Sequence, residues 1–209
     1  SRYMNYKEVY EQWLNNDFFD EETKADLLSI KDDEAEIEDR FYKGLEFGTA
    51  GLRGKLGAGT NRMNKYMVGK AAQALAETLK DHGEEAVKRG VAISYDVRYK
   101  SKEFAELTCS IMAAHGIKTY IYNGIHPTPM CSYAIRKLHC KAGVMVTASH
   151  NPQEYNGYKA YWEEGSQILD DIAGQIAGHM DEIVNFEDIK SIPFEEALES
   201  GLANYIDAS

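Results

Sequence analysis

Residues 142–162 read AGVMVTASHNPQEYNGYKAYW, and this stretch decides the fold. Its first seven residues, 142–148, are apolar enough to form a central strand of a sheet. Residues 157–162 indicate another strand, and the gap between the two is too short for a helical crossover. The later strand should therefore return antiparallel to the earlier one. Asn156-Gly157 is a typical hairpin turn, so we expect it to bring Lys159 back alongside the first strand.

Alternating strands and helices continue on both sides of this stretch. VAISYDV at 91–97 and IKTYIYN at 117–123 predict two further strands, and Ser101 is a good N-cap for a helix between them. We expect a helix over about 130–139 after the turn HPTP, and the helical spacing of apolar residues predicts another over about 167–185. The order β-α-β-α-β-β-α predicts an α/β fold, a three-layer α/β/α sandwich with a mixed four-stranded sheet.

The N-terminal part of the chain is predicted to be helical. Apolar residues at helical spacing predict a short amphipathic helix over 6–15, and residues 21–29 and 33–43 are interpreted as two further helical pieces. A strongly amphipathic helix includes Val68 and is closed by Gly83. The sequence before residue 44 therefore supplies helices rather than strands.

The chain divides into two parts of unequal length. Residues 1–189 are interpreted as one domain, because the strand and helix patterns run through them without a break. Residues 190–209 have weaker periodicity and contain Pro193. We expect them to be a linker and the start of a truncated second domain.

The composition excludes several classes of protein. No apolar run approaches the ~20 residues that span a bilayer, and the first residues lack the apolar stretch of a secretion signal. The three cysteines, Cys109, Cys131 and Cys140, form no CxxC pair. Free thiols in a cytoplasmic protein are the simplest interpretation. We expect no membrane partner.

The charge is distributed unevenly along the chain. The net charge of −11 argues against nucleic acid as a partner. Residues 1–46 carry a net −8 and residues 166–209 a net −9, whereas residues 47–165 carry a net +6. A basic middle in an acidic chain favours a site for a small anion, although the acidic ends also fit solvated helices.

A glycine-rich segment interrupts the helices. Residues 44–64 contain six glycines among 21 residues, which indicates a loop rather than a core element. The segment matches neither the dinucleotide-binding nor the P-loop pattern. It offers backbone amides around one cation, Arg53, and such groups are good partners for phosphate. A purely structural turn explains the same spacing.

The segment TASHNP, residues 147–152, follows the most apolar strand directly. Ligands of open α/β sheets lie beyond the carboxyl ends of strands, so Ser149 should be exposed there, with His150 able to orient it. Lys159 can share its pocket if the hairpin forms. From these residues alone, an ordinary Ser/Asn/Pro turn and a surface lysine on an edge strand are simpler interpretations.

Five segments, in the same order, resemble the α-D-phosphohexomutase superfamily, in its phosphoglucomutase/phosphomannomutase branch. They are FGTAGLRG at 47–54, DVR at 96–98, PTP at 127–129, TASHNP at 147–152 and NGYK at 156–159. The resemblance covers roughly residues 40–190 and points to the N-terminal, phosphoserine domain of that family.

The resemblance implies a phosphoryl carrier at Ser149. In this family the phosphoserine gives its phosphoryl group to a hexose phosphate, and the resulting hexose 1,6-bisphosphate returns its other phosphate to the serine. Hexose 1-phosphate and hexose 6-phosphate are thereby interconverted, so the full-length enzyme is an intramolecular phosphotransferase. Arg53 and Lys159 match basic residues around the transferring phosphate, and His150 matches a histidine of the same site.

The resemblance also implies a cofactor and further domains. Mg²⁺ is expected on the phosphorylated Ser149, with its other ligands outside this chain, and glucose 1,6-bisphosphate as activator. The family's DGDxDR metal loop, sugar-specificity loop and distal phosphate loop do not occur in this sequence. We therefore expect an N-terminal fragment that is inactive alone and lacks the C-terminal domains of the same polypeptide.

Two alternatives stay open. One is a phosphopentomutase of the same branch, since the segment that selects the sugar is not in this sequence. The other is a non-catalytic domain that binds sugar phosphates. Retention of Ser149 beside His150, Arg53 and Lys159 argues against the second alternative, because a binder does not need a phosphoryl carrier.

Overall fold

A mixed sheet organises residues 5–123, 130–147 and 154–206, which are the residues that the computed structural model describes. Its six strands are β1 (Leu52–Lys55), β2 (Val91–Tyr95), β3 (Thr119–Asn123), β4 (Ala142–Thr147), β5 (Tyr155–Trp162) and β6 (Ala203–Tyr205). Their order in the sheet is β1-β5-β4-β2-β3-β6. The pairs β2/β4, β2/β3 and β3/β6 are parallel, whereas β5 is antiparallel to both β4 and β1.

Helices cover both faces of the sheet. They are α1 (Tyr6–Asn15), α2 (Glu21–Ser29), α3 (Glu34–Phe41), α4 (Lys65–Asp81), α5 (Glu84–Arg89), α6 (Ser101–Ala114), α7 (Met130–Leu138), α8 (Asp170–Glu182) and α9 (Phe194–Glu199). Side chains of α4, α6 and α8 share the main core with Leu52, Ile93 and Tyr158 of the sheet. On the opposite face, Ile135 of α7 packs with Ala92. The predicted three-layer α/β/α arrangement is confirmed.

The prediction of four strands is wrong, because the sheet has six. β1 lies inside the glycine-rich segment that we interpreted as a loop. Its sequence, LRGK, contains one apolar residue, Leu52, which is fully buried. Such a short edge strand has no alternating pattern to reveal it. β6 has only three residues, and it becomes a strand by pairing with β3, where Ala203 lies opposite Thr119.

The last part of the chain packs on the same sheet. Ala197 of α9 and Ala203 of β6 are both buried in the main core. The domain boundary after residue 189 stays a prediction. Residues 194–205 contribute side chains to the main core.

Two local predictions, for Ser101 and for Asn156-Gly157, are wrong. Ser101 is not an N-cap: Lys100 precedes α6 at that position with a φ of 71°, and Ser101 is the first helical residue. Asn156-Gly157 is not a turn, because both residues lie inside β5. The Asn156 side chain is fully buried and donates a hydrogen bond to Ser101 Oγ over 3.2 Å. The antiparallel return of β5 is nevertheless confirmed.

The N-terminal helices form a compact unit before the sheet. Each begins with a side-chain cap, in which Asn5, Asp20 or Asp33 accepts a backbone N–H of the first turn. Trp13 stacks on Phe19 and meets Phe41 edge-to-face, with ring centroids 4.3 and 5.5 Å away. Aromatic pairs of this kind stabilise a core beyond the area they bury. Among the described helices, none combines the length and apolar character needed to cross a membrane.

Candidate active site

The two predicted cations, Arg53 and Lys159, lie on one face of the sheet. Arg53 of β1 is directly opposite Gly157 of β5, and Lys159 follows Gly157 by two residues. Side chains two residues apart on a strand share a face, and so do directly paired residues. Tyr158, between Gly157 and Lys159, points the other way into the main core. This register therefore places Arg53 and Lys159 on the same side of the sheet.

Gly157 lies between Arg53 of β1 and the end of β4 and carries no side chain. On its other side Gly157 pairs with Thr147, the last residue of β4. A Cβ atom at position 157 would lie 3.2 Å from the Thr147 carbonyl oxygen, so no larger residue fits without adjustment. Arg53 is therefore level with the carboxyl end of β4 and is separated from it by a strand position without a side chain.

Ser149 and His150 lie outside the described residues, in the interval 148–153. Ser149 follows Thr147 by two residues along the chain. What the structure brings together is thus Arg53, Lys159 and the strand end that leads to Ser149.

Asp96, the first residue of the DVR segment, lies at the carboxyl ends of β2 and β4. From the sequence alone it has no assigned role. The Thr147 hydroxyl donates a hydrogen bond to Asp96 Oδ2 over 2.9 Å, which joins the ends of β4 and β2. The Arg98 N–H donates to the other carboxylate oxygen over 3.0 Å. Asp96 fixes the last residue before the Ser149 segment. The DVR motif could have drawn attention to Asp96. That Thr147 is its hydrogen-bond partner follows only from the pairing of β4 with β2.

Asn156 ties β5 to the loop after β2. Its amide donates to the Tyr99 carbonyl oxygen over 3.3 Å as well as to Ser101 Oγ, while its Oδ1 accepts the Gly157 N–H over 2.7 Å. A buried amide is costly unless it is hydrogen-bonded, and here it has three partners. The asparagine of NGYK therefore positions the strand that carries Lys159.

A glycine turn leads into β1. Gly48 and Gly51 exchange backbone hydrogen bonds, and Gly51 has a φ of 78°. A Cβ atom at position 51 would lie 1.9 Å from the Tyr158 carbonyl oxygen. Only glycine permits both this conformation and this approach. The turn brings β1 close against β5 and so sets the level of Arg53.

The described residues do not form a magnesium site by themselves. Within 5–123, 130–147 and 154–206, no group of three or more His, Cys, Asp or Glu residues is placed to hold a metal ion. A hard cation such as Mg²⁺ prefers several oxygen ligands in a near-octahedral set. Asp96 is already engaged with Thr147.

Two of the three cysteines are buried free thiols. Cys109 and Cys140 have no exposed surface, and burial raises the pKa of each thiol to about 12. The thiolate is the reactive form of cysteine, so neither residue serves as a nucleophile near neutral pH. The side chain of Cys131 lies outside the described part of the chain.

Comparisons with known proteins show what this chain is similar to. The family model "Phosphoglucomutase/phosphomannomutase, alpha/beta/alpha domain I" matches residues 44–186. A phosphoglucomutase of Staphylococcus epidermidis is 38% identical over 179 residues, which cover 86% of this chain and 30% of that protein. A probable phosphoribomutase of Schizosaccharomyces pombe is 40% identical over 165 residues, which cover 78% of this chain and 28% of that protein.

A solved structure has the same fold. It comes from Thermus thermophilus and bears the description "putative phosphomannomutase". It superposes with a TM-score of 0.61 at 26% identity, over 78% of this chain and 33% of its own. The chain thus spans about a third or less of the proteins it resembles.

Proposed function

Since the chain belongs to the phosphoglucomutase/phosphomannomutase family, which it matches through the α/β/α domain I, we propose that it supplies the phosphoryl-carrying domain of a sugar-phosphate mutase. The observation that carries this proposal is the pair of cations, Arg53 and Lys159, on one face beside the end of β4. Two adjacent cations suit a group with two negative charges, as a phosphoryl group has.

In the proposed reaction, Ser149 carries the phosphoryl group. A hydroxyl oxygen of the sugar phosphate attacks the phosphorus atom as the bond to Ser149 Oγ breaks, and the proton of that hydroxyl leaves for a base. Ser149 Oγ then attacks the phosphorus atom of the other phosphoryl group, the bond from that phosphorus to the sugar oxygen breaks, and the sugar oxygen takes up a proton. A covalent carrier divides one difficult transfer into two matched ones. The sum is an exchange of the 1-phosphate and 6-phosphate isomers.

Arg53 and Lys159 are proposed to neutralise the transferring phosphoryl oxygens. Phosphoryl transfer depends chiefly on positioning and on charge stabilisation. His150 is proposed to contact the same phosphate. Asp96 and Thr147 hold the strand end before Ser149, so they would orient the carrier without touching the phosphate.

The cofactor and partners belong to the same proposal. Mg²⁺ would bind the phosphorylated Ser149 with the remaining ligands from other domains, and glucose 1,6-bisphosphate would act as activator. The chain spans 30% of the Staphylococcus relative, which supports further domains of the same polypeptide as its partners. We propose the cytoplasm as its location.

The second candidate function is a phosphopentomutase. It is favoured by the relative from Schizosaccharomyces pombe, described as a probable phosphoribomutase, which is as similar to this chain as the phosphoglucomutase. Both functions use the same carrier and the same cations. They differ in the sugar, so substrate assays separate them.

The test uses the full-length protein that contains this chain. We expect conversion of glucose 1-phosphate to glucose 6-phosphate with Mg²⁺ and glucose 1,6-bisphosphate present, and Ser149→Ala should abolish it. Ser166→Ala, at an exposed serine in a turn beyond β5, is the matched control and should be fully active. Near-normal activity of Ser149→Ala would overturn the phosphoserine proposal, and a preference for ribose 1-phosphate would select the second candidate. Residues 1–209 alone should melt cooperatively without turnover.

A further inference from the structure

Helices α1–α3 lie outside residues 44–186, the range that matches the family model, yet they hold the strand that carries Arg53. Their aromatic core, which includes Trp13 and Phe41, also contains Ala58 from the loop after β1. Ala58 is only 5% exposed. The loop is therefore inserted into the helical unit rather than lying on its surface.

Both backbone groups of Ala58 are bound by charged side chains of these helices. The Ala58 N–H donates to Asp26 Oδ2 over 2.8 Å, and Arg40 Nη1 donates to the Ala58 carbonyl oxygen over 3.2 Å. Arg40 and Asp26 also pair with each other over 2.9 Å, and the Arg40 side chain is 13% exposed. Hydrogen bonds to charged groups are the stronger kind, so Ala58 is held on both sides.

The contacts continue from α3 back to β1. The Asn61 N–H donates to the Arg40 carbonyl oxygen over 2.9 Å. A Cβ atom at Gly59 would lie 2.8 Å from that same oxygen, so the loop and α3 are in close contact. The Met63 N–H then donates to the carbonyl oxygen of Lys55, the last residue of β1, over 2.8 Å. The loop thus closes on the strand.

β1 needs such support. It has four residues and stands at the edge of the sheet, where β5 is its one partner among the described strands. Short edge segments with few ladder hydrogen bonds open locally at low free energy. We infer that Arg40 and Asp26 are positioning residues that fix β1 against β5 and so keep Arg53 beside Lys159. The role of Arg53 in this inference rests on the proposed function.

The same helical unit also reaches the loop after β2. Glu22 of α2 forms a salt bridge with Lys100, in which Nζ lies 3.5 Å from Glu22 Oε1. Lys100 has a φ of 71°, a strained conformation for a residue with a side chain, and such strain is common at functional edges. The preceding carbonyl, of Tyr99, receives the hydrogen bond of Asn156. Helices α1–α3 therefore contact both the loop that follows β1 and the loop after β2 that binds Asn156 of β5.

Amide hydrogen exchange on the 209-residue chain tests the positioning directly. In Arg40→Gln, peptides that cover residues 52–56 should exchange roughly tenfold faster or more, while β2 peptides stay at the wild-type rate. Arg40→Lys should recover part of the protection. The matched control is Arg89→Gln, because Arg89 also binds backbone carbonyls (of His139 and Cys140) and one carboxylate (of Glu163). Arg89 lies beside the first residues of β2 and β4 and beyond the last residue of β5. The residues of β5 that pair with β1 are 155–158, at the other end of that strand, so residues 52–56 should be unaffected.

A milder variant keeps the test decisive if Arg40→Gln fails to fold. Asp26→Asn retains the shape of the side chain and removes its charge, and it should also raise exchange in residues 52–56. Unchanged exchange there in Asp26→Asn would overturn the inference. Equal acceleration of β1 and β2 peptides in Arg40→Gln would do so as well, since it would indicate general destabilisation.

The full-length protein gives an independent readout. Loss of a positioned charge lowers kcat with little change in KM, so Arg40→Gln should lower kcat by about tenfold at a temperature where it is fully folded. Arg89→Gln, compared at the same margin below its thermal midpoint, should retain wild-type kcat. If the full-length protein has no mutase activity at all, the proposed function fails, while the exchange result still decides whether Arg40 and Asp26 fix β1.

Discussion

Arg53 and Lys159 stand diagonally across the β1–β5 pair, on the same face and two residues apart in register. Diagonal neighbours of this kind are ~7–8 Å apart at Cα, within joint reach of two long side chains. Neither cation belongs to a parallel strand of the usual α/β type. Both come from the antiparallel edge of the sheet, and the chain places them beside the carboxyl end of a parallel strand, β4, where ligands of such sheets bind.

This pair gives the first prediction. In the full-length protein, Arg53→Ala and Lys159→Met should each lower kcat by ~10²–10³, the scale for one preorganised charge-stabilising group. The double variant should lose less than the product of the two, because neighbouring groups that act on one phosphate are coupled. Steady-state kinetics with each sugar phosphate measure this.

Lys118→Met is the control, since Lys118 is an exposed lysine before β3, and β4 and β2 separate that strand from β5. It should retain normal kcat. Wild-type kcat in Lys159→Met would remove Lys159 from the proposed site.

The second prediction concerns the hydrogen bond between Thr147 and Asp96. Thr147→Val keeps the shape of the side chain but removes the donor, and it should cost about 1–2 kcal/mol of unfolding free energy because a carboxylate oxygen loses its partner. It should also lower kcat, since the segment after Thr147 carries Ser149. Thr78→Val is the comparison, because the buried Thr78 hydroxyl donates a hydrogen bond within its own helix, to the Ala74 carbonyl oxygen. An equal loss of kcat in both variants would contradict the positioning role.

The sequence predicts the parts of the fold that local pattern controls. The apolar runs at 91–97 and 142–148 correspond to β2 and β4, and the helical spacing of apolar residues correctly predicts α4 and α8. β1 cannot be found in this way, because it is defined by pairing with β5 rather than by its own residues. Burial likewise explains Asn156: an Asn-Gly pair favours a turn locally, but three hydrogen bonds inside the protein hold it in a strand.

The candidate site is predictable to a similar extent. Arg53 and Lys159 are identified by motifs that resemble a family, whereas their position on one face follows from the strand register. The hydrogen bond between Thr147 and Asp96 joins residues 51 positions apart. It follows from β4 lying next to β2, and no local pattern determines which strands become neighbours. The supporting role of Ala58 is hidden for the same reason.

The third prediction is that Gly51→Ala disrupts β1. The new methyl group would meet the Tyr158 carbonyl oxygen at 1.9 Å, and the φ of 78° disfavours any side chain. Backbone must move, so we expect a loss of about 2–4 kcal/mol in denaturant unfolding. Gly174→Ala in α8 is the control, because no atom lies within 4 Å of a Cβ there. It should stabilise by about 0.5–1 kcal/mol through helix propensity. A Gly51→Ala protein as stable as wild type would refute the close approach.

The last prediction starts from a buried histidine between α4 and the end of α6. The His115 side chain is 1% exposed. Lys80 Nζ lies 2.7 Å from Nδ1, and Gln73 Oε1 lies 3.0 Å from Nε2. An ammonium group can only donate, so Nδ1 accepts and Nε2 carries the proton. Burial, together with the charges of Lys80 and Lys190, lowers the pKa of His115 to about 4, although Glu77 opposes the shift.

Because its pKa is lowered in the folded state, His115 stabilises the protein fully only above its unfolded pKa of about 6.5. Between pH 7.5 and 4.5 the contribution of His115 to the free energy of unfolding should fall by about 2–3 kcal/mol, because His115 becomes protonated in the unfolded chain but stays largely neutral in the folded chain. His115→Gln keeps a donor and an acceptor without titrating, so its thermal midpoint should decline less over this range.

His179 supplies the opposite control: burial disfavours its charge, but hydrogen bonds to Asp81 and Glu182 outweigh burial and raise its pKa. Its contribution is present at low pH and lost as pH rises, so His179→Gln should steepen the decline toward acid. Parallel pH profiles of His115→Gln and wild type would show that His115 is not held neutral by its buried contacts.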